Sequence, residues 1–417
     1  MNKDNNYAFN IFVVGSMFFV LGFVTWLNAI LMPFLKSACE LTNFQSSFVP
    51  FAFYISYFFT AIPSSLILRK TGFNKGMQIA LIIMSLGAVI FIPAAITRFY
   101  LLFLIGLFIL GIGLSLLQTA VNPYTTILGP IESAARRISI MGICNKFAGM
   151  IGIFILSKIL FTGSDELMLS LSSIINTSEK EIILQTLSNK VIMPYIIMAL
   201  ILLALVIFIK KAKLPEIDEE KVDNSTIETR KSIFAYKYLW LGVFAIFFYV
   251  GAEVIAIDYL QCYGTFLGFK IEIASKLSIY ALLALVAGYL LGIILIPKYI
   301  SQRKVLIFQV LLSIVFVTVA LLANGWLSAI SIILLSFTHA IMWPAIWPLS
   351  IRGLGKYTKL GSAFLVMAIA GGAIIPLAYG KLSDVFNPQI AYSLLFISYL
   401  YILFFATKGY KIEKQNL

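Results

Sequence analysis

The chain has 417 residues, of which 61% are hydrophobic and only 12% charged, with a mean hydropathy of +0.98. An ordinary soluble domain is about 45–50% apolar and about 25% charged, so this composition excludes a soluble globular protein and predicts an all-α polytopic membrane protein whose excess apolar surface faces lipid. The 31 Lys and Arg against 18 Asp and Glu, a net +13, are expected to mark cytoplasmic loops rather than a nucleic-acid surface.

Runs of roughly 20 apolar residues predict twelve spans. They lie near 9–34, 46–68, 77–97, 100–128, 138–162, 190–210, 238–268, 276–297, 304–323, 325–352, 359–380 and 388–407. The runs are continuous and do not alternate apolar with polar, which selects helices over barrel strands. The polar start, Met1 to Asn10, leads into a first apolar run longer than a signal-peptide core, so the first span is expected to be retained. With both termini cytoplasmic, 22 of the 31 cations fall in inside segments and seven outside; the imbalance supports twelve spans with N and C termini in the cytoplasm. The charged stretch 211–237, with Pro215 and a run of carboxylates, is expected to be a solvated linker between two six-helix parts, 1–210 and 238–417. The Ser-rich, acidic outer loop 163–189 has no readable role.

Cys39, Cys144 and Cys262 are distant, odd in number and not in a Cys-x-x-Cys pair, and His339 is the single histidine. Neither a disulfide framework nor a multi-His metal site is expected. No Gly-rich loop ends in Lys-Ser/Thr, which leaves ATP-driven transport unsupported.

Two short basic loops occupy matching positions, Leu68-Arg-Lys-Thr-Gly-Phe-Asn-Lys75 and Pro297-Lys-Tyr-Ile-Ser-Gln-Arg-Lys304. They resemble degenerate copies of the loop word of the major facilitator superfamily, without its Asp. Inside the spans, Leu27-Asn28-Ala29-Ile30-Leu31-Met32-Pro33, Leu117-Gln118-Thr119-Ala120-Val121-Asn122-Pro123, Leu128-Gly129-Pro130, Phe248-Tyr249-Val250-Gly251-Ala252-Glu253, Gly371-Gly372 with Ile375-Pro376, and Leu403 to Tyr410 recur in order. These resemble the fucose:proton symporter and glucose/galactose transporter family of that superfamily, from about residue 15 to 411. The resemblance implies the major facilitator fold, with two pseudo-symmetric halves of six helices and a substrate at the midplane. It further implies cation-coupled import of a hexose or deoxyhexose across a bacterial inner membrane, by a multi-pass monomer that uses no cofactor. Gln118 and Glu253 match the glucose/galactose members. Two positions depart from the family: its first-span Asp is Ala29 here, and its usual Asn-Ser in the fifth span is Asn145-Lys146.

A charge inside a span costs about 2.5–3.5 kcal/mol on insertion scales, so each one needs a reason. Glu253 and Asp258 are five residues apart, roughly 140° around a helix, and both are candidate cation-coupling groups. Glu253 is the better one, able to hold a proton or to stay ionised and ligate Na⁺. Lys146 is expected to form a gating ion pair with Asp258 across the halves; a sugar acid or another anionic solute, or snorkelling to the interface, are its other readings. Aromatic faces stack on sugar C–H surfaces while amides bind hydroxyls. On that ground Trp26, Asn28, Gln118, Asn122, Asn145, His339, Trp343 and Trp347 are candidate substrate ligands. His339 is equally a satisfied core residue or a proton relay, and Pro344 and Pro348 are expected to kink the tenth span. The expected function is secondary active transport of a sugar, coupled to Na⁺ or H⁺, not enzymatic chemistry. An uncoupled or exchanging facilitator, or a carrier of an anionic solute read by Lys146, is the alternative.

Overall fold

A computed structural model describes residues 3–127, 134–161, 177–212, 232–296, 299–352, 354 and 357–412. In chain order its helices are α1 (Lys3–Trp26), α2 (Asn28–Ala38), α3 (Asn43–Ser46), α4 (Phe48–Thr97), α5 (Tyr100–Ile127), α6 (Ala134–Phe161), α7 (Thr177–Asn189), α8 (Ile192–Ala212) and α9 (Lys237–Asp258). They continue as α10 (Leu260–Phe266), α11 (Ile271–Leu295), α12 (Gln302–Leu322), α13 (Gly325–His339), α14 (Met342–Ile351), α15 (Thr358–Met367), α16 (Gly371–Val385), α17 (Pro388–Ala391) and α18 (Leu395–Thr407). No strand occurs among the described residues. In lipid this is the expected economy, since a helix satisfies its own backbone polar groups.

Among the described residues eleven segments are long and apolar enough to cross a membrane, and one of them, Asn43–Thr97, is 55 residues long. That segment holds two spans. Helical pairing runs through α4 without a loop, and the reversal is made at Gly72, whose φ of 74° and ψ of 171° suit a residue without Cβ. The expected connection at 69–76 is thus a very short one, two helices meeting at the non-helical Gly72, and the total agrees with twelve spans. Several others are interrupted: the first span at Leu27, the seventh at Tyr259, and the tenth between His339 and Met342. The tenth-span break precedes Pro344, which then sits in the first turn of α14, where its missing N–H costs nothing.

An even span number brings both termini to one end of the bundle. Contacts at the opposite end, the far end, agree with this path. Arg98 pairs with Glu181, Lys180 with Glu40, and the Tyr100 hydroxyl donates to the carbonyl of Gln45 at 2.7 Å. Asp384 accepts from the backbone N–H groups of Asn43 and Phe44 at 2.9 and 2.8 Å, tying the end of α16 to the start of α3. The long outer segment therefore includes a helix, α7, that docks on the far end; residues 162–176 lie outside the described residues. At the terminal end, Arg303 donates to the carbonyl of Ala406 at 2.9 Å and the Tyr238 hydroxyl to that of Arg352 at 2.6 Å. Of the linker expected at 211–237, residues 213–231 lie outside the described residues.

Close helix approach rests on small residues, as packing in lipid requires. A Cβ on Gly22 would stand 1.9 Å from the Asn145 carbonyl oxygen, where α1 meets α6. On Gly371 it would stand 1.8 Å from the Phe247 carbonyl oxygen, where α16 meets α9. These approaches bring the charged residues of α6 and α9 towards the interior.

Candidate functional site

The interior polar residues form three groups, and the charge of Glu253 reaches members of each. The first joins α1 to α6. The Trp26 indole packs on Gly149, whose added Cβ would lie 2.3 Å from the ring, and its N–H donates to the Asn145 amide oxygen at 3.2 Å. The Lys146 ammonium caps the same ring, 4.2 Å from its centroid. A cation over an indole in a desolvated place is worth about 2 kcal/mol. Trp26 is 3% exposed, so it is a platform for Lys146 and not an open face for a sugar, a correction to the expectation that it binds substrate. Asn145 is likewise engaged, through Trp26 and through the Phe18 carbonyl.

The second group joins α9, α13, α14 and α18. Trp343 and Trp347, one turn apart and half-buried, stack with centroids 5.1 Å apart and planes at 29°. Tyr249 packs against Trp343 at 6.3 Å and edge-on against His339 at 6.1 Å. His339 is fully buried, with Nε2 2.8 Å from the Tyr399 hydroxyl and Nδ1 without a hydrogen-bond partner. It lies behind Tyr249 rather than on an open surface, so direct sugar binding by His339 is also corrected: its bond to Tyr399 holds the wall of the site.

The third group crosses from the first and second spans to the seventh. Asn28, 1% exposed, lies beside the Tyr54 hydroxyl, and its amide nitrogen has no partner. Tyr54 in turn feels the charge of both Glu253 and Asp258 and touches the α16 backbone at Gly372. Asp258 is fully buried with neither carboxylate oxygen hydrogen-bonded.

Glu253 is half-buried, and its charge acts on Lys146, Asp258, Tyr54, Tyr249 and Tyr289. Tyr249 precedes it by one helical turn and so shares its face of α9. The expected Lys146–Asp258 ion pair is not made. Among the described residues Lys146 has no salt bridge, and the carboxylate whose field reaches it is Glu253. The physical reason is the roughly 140° between positions 253 and 258 on one helix: they cannot both face α6. Gln118 and Asn122 stand one turn apart on α5, both half-buried.

Tyr54, Tyr249, Tyr289 and Tyr399 belong to the site and were not expected. Tyr249 was readable, being four residues before Glu253 and so on its face. The others come from distant spans, and no spacing within one helix reveals them.

The arrangement is a set of aromatic walls with a half-buried cation, a half-buried carboxylate and a fully buried one, suited to holding a polar solute and rearranging charge. It contains no nucleophile–base pair and, among the described residues, no cluster able to hold a metal through His, Cys, Asp and Glu.

A model of the Major Facilitator Superfamily matches residues 14–375. Over 416 residues the chain is 32% identical to a glucose/galactose transporter of Brucella abortus biovar 1 (strain 9-941), covering 98% of this chain and 96% of that protein. It is 30% identical over 414 residues to the L-fucose-proton symporter of Escherichia coli (strain K12), covering 95% and 93%. The crystal structure of FucP in the outward conformation matches with a TM-score of 0.71 at 29% identity, covering 97% of this chain and 99% of that one. A D-xylose-proton symporter shares the fold alone, at 16% identity and a TM-score of 0.69. The chain belongs to the Major Facilitator Superfamily and is a multi-pass membrane transporter rather than an enzyme.

Proposed function

We propose that the protein imports a hexose or a related sugar by alternating access between two six-helix halves, 1–210 and 238–417, driven by a co-transported monovalent cation. Both termini face the cytoplasm of a bacterial inner membrane, the far end faces outward, and the monomer is the working unit. The observation that carries the reading is the Glu253 cluster: one half contributes Lys146 on its Trp26 platform, the other Glu253 beside Tyr249 and the Trp343–Trp347 stack. A sugar offers C–H faces to such indoles and hydroxyls to such carboxylates and amides. Relatives along the whole length are a glucose/galactose transporter and an L-fucose-proton symporter, which supports the substrate class.

Within this reading Trp343, Trp347, Gln118 and Asn122 are the sugar ligands. Glu253 couples, because its charge faces Lys146 across the halves and a bound sugar or cation alters that balance. Uptake of labelled glucose, galactose and fucose into proteoliposomes, with Na⁺ and pH gradients imposed separately, tests it. Sugar accumulation driven by one of the two gradients is expected. Flux indifferent to both would leave a facilitator instead.

A second reading has its own observation, the absence among the described residues of a salt bridge to Lys146. A carboxylated sugar could supply the missing partner. Glucuronate outcompeting glucose, with the preference lost in Lys146→Gln, would establish it.

A further inference from the structure

Helix α9 ends at Asp258 and α10 begins at Leu260, leaving Tyr259 between them at φ −92° and ψ −3°. Those angles remain right-handed, so the chain keeps its helical path through the interruption. Residues three apart still share a face. Asp258 and Gln261 are such a pair, 0% and 2% exposed.

Neither Asp258 oxygen nor the Gln261 amide oxygen has a hydrogen-bond partner. Three orphaned oxygen acceptors on one face of an interrupted helix are an anomaly. Buried polar groups are otherwise paired, and a buried carboxylate without a partner is the costliest exception.

The charges point the same way. Glu253 acts on both Lys146 and Asp258; Tyr54 and Tyr259 are the other titratable groups whose interactions reach Asp258. With both carboxylates ionised, Lys146, Glu253 and Asp258 together carry one uncompensated negative charge. One monovalent cation neutralises it, and a divalent ion would overshoot. A proton on Asp258 would also neutralise it, yet could satisfy only part of the orphaned set, whereas a sodium-sized ion seeks several oxygens at once.

A cavity reaches Gln261, though not Asp258 itself. Gln261 lines a cavity of about 690 Å³ at the far end, together with Lys36, Phe161, Cys262, Thr265 and Phe269. Lys36 is held on its rim by the Asn43 amide oxygen.

We propose that Asp258 and Gln261 form a binding site for a sodium-sized monovalent cation, entered from this far-end cavity. The inference deepens the reading of the chain as a cation-coupled carrier and rests on it. Its site is separate from the sugar-facing Trp343–Trp347 stack.

Equilibrium binding of ²²Na⁺ to the purified full-length protein, without sugar, tests the site independently of transport. One saturable site is expected, competed by Li⁺ and not by K⁺ or choline at equal ionic strength. Asp258→Asn, which removes the orphaned charge, should abolish it, and Gln261→Leu should weaken it tenfold or more. Gln261→Leu serves as the deciding variant if Asp258→Asn does not fold. Absence of saturable binding, or binding unchanged in the variants, overturns the proposal. So does sodium-independent sugar binding accompanied by uptake of one proton that Asp258→Asn abolishes. Saturable ²²Na⁺ binding with sodium-indifferent uptake would retain the site and refute only the coupling.

Discussion

Replacing Gly371 with alanine is a severe test of how the seventh and eleventh spans pack. The new Cβ would lie 1.8 Å from the Phe247 carbonyl oxygen, 2.5 Å from its carbonyl carbon and 2.8 Å from its Cα. All three are backbone atoms of α9, so no side-chain rotation relieves the clash. Ordinary contact begins near 3.4 Å, and the helices must part by roughly 1.5 Å, at the upper end of the 1–3 kcal/mol typical of overpacking. Gly251→Ala meets Ile375 at Cδ1 (2.5 Å) and Cβ (2.7 Å) and the Gly371 carbonyl oxygen at 2.9 Å, longer contacts than those at Gly371, and should lose less. Gly142→Ala meets nothing within 4 Å and should gain about 0.5–1 kcal/mol from helix propensity. The assay is monodisperse protein remaining after a heat ramp in detergent, read by size exclusion. Gly371→Ala should melt lowest, then Gly251→Ala, then the parent, then Gly142→Ala. A Gly371→Ala protein as heat-resistant as the parent refutes the packing argument.

Trp343→Ala should raise KM for the sugar about fivefold, a loss of about 1 kcal/mol of aromatic contact, whereas Tyr399→Phe should lower thermal stability by about 1 kcal/mol and leave KM unchanged; uptake kinetics and melting on both variants separate the two roles. Asp384→Ala removes the acceptor of the Asn43 and Phe44 N–H groups, a loss of about 1 kcal/mol. It should speed labelling of Cys262 by an impermeant maleimide about fivefold, and unchanged labelling would deny this tie a role in closing the far end. Burial pushes the Cys39 thiol up to about 11, against a smaller opposing pull from Arg98. In a Cys144→Ser, Cys262→Ser background Cys39 should therefore label about a hundredfold more slowly at pH 7.5 than a free thiol, its rate rising tenfold per pH unit up to pH 10; an early plateau would contradict the burial.

Hydrophobic run length and charge alternation made the twelve spans legible, because lipid imposes a minimum length and the loops carry the orientation signal. The same signals placed the connection at 69–76 but not its tightness, with helical structure on both sides up to the non-helical Gly72. Glu253 and Lys146 stood out as charges in apolar runs. Their mutual placement did not, because run length says nothing about which face of α9 meets α6, and the Lys146–Asp258 ion pair expected there is not made. Trp26 and His339 illustrate another limit. An indole and an imidazole have the same sequence signature whether they face a cavity or, as here, lie under Lys146 and against Tyr399. Gln261 escaped notice because a single amide near a span end resembles any interfacial polar residue, until its orphaned oxygen places it beside Asp258.

The platform beneath Lys146 has an optical consequence. Indole emission depends on the local electric field, because excitation shifts electron density across the two rings. Trp26 has an ammonium 4.2 Å from its centroid and an N–H fixed by Asn145, whereas Trp240, Trp326, Trp343 and Trp347 sit elsewhere in the chain. Any event that draws Lys146 away from the ring alters that field and hence the colour of Trp26. The protein thus contains its own fluorophore at the point where the charges of α6 and α9 face one another.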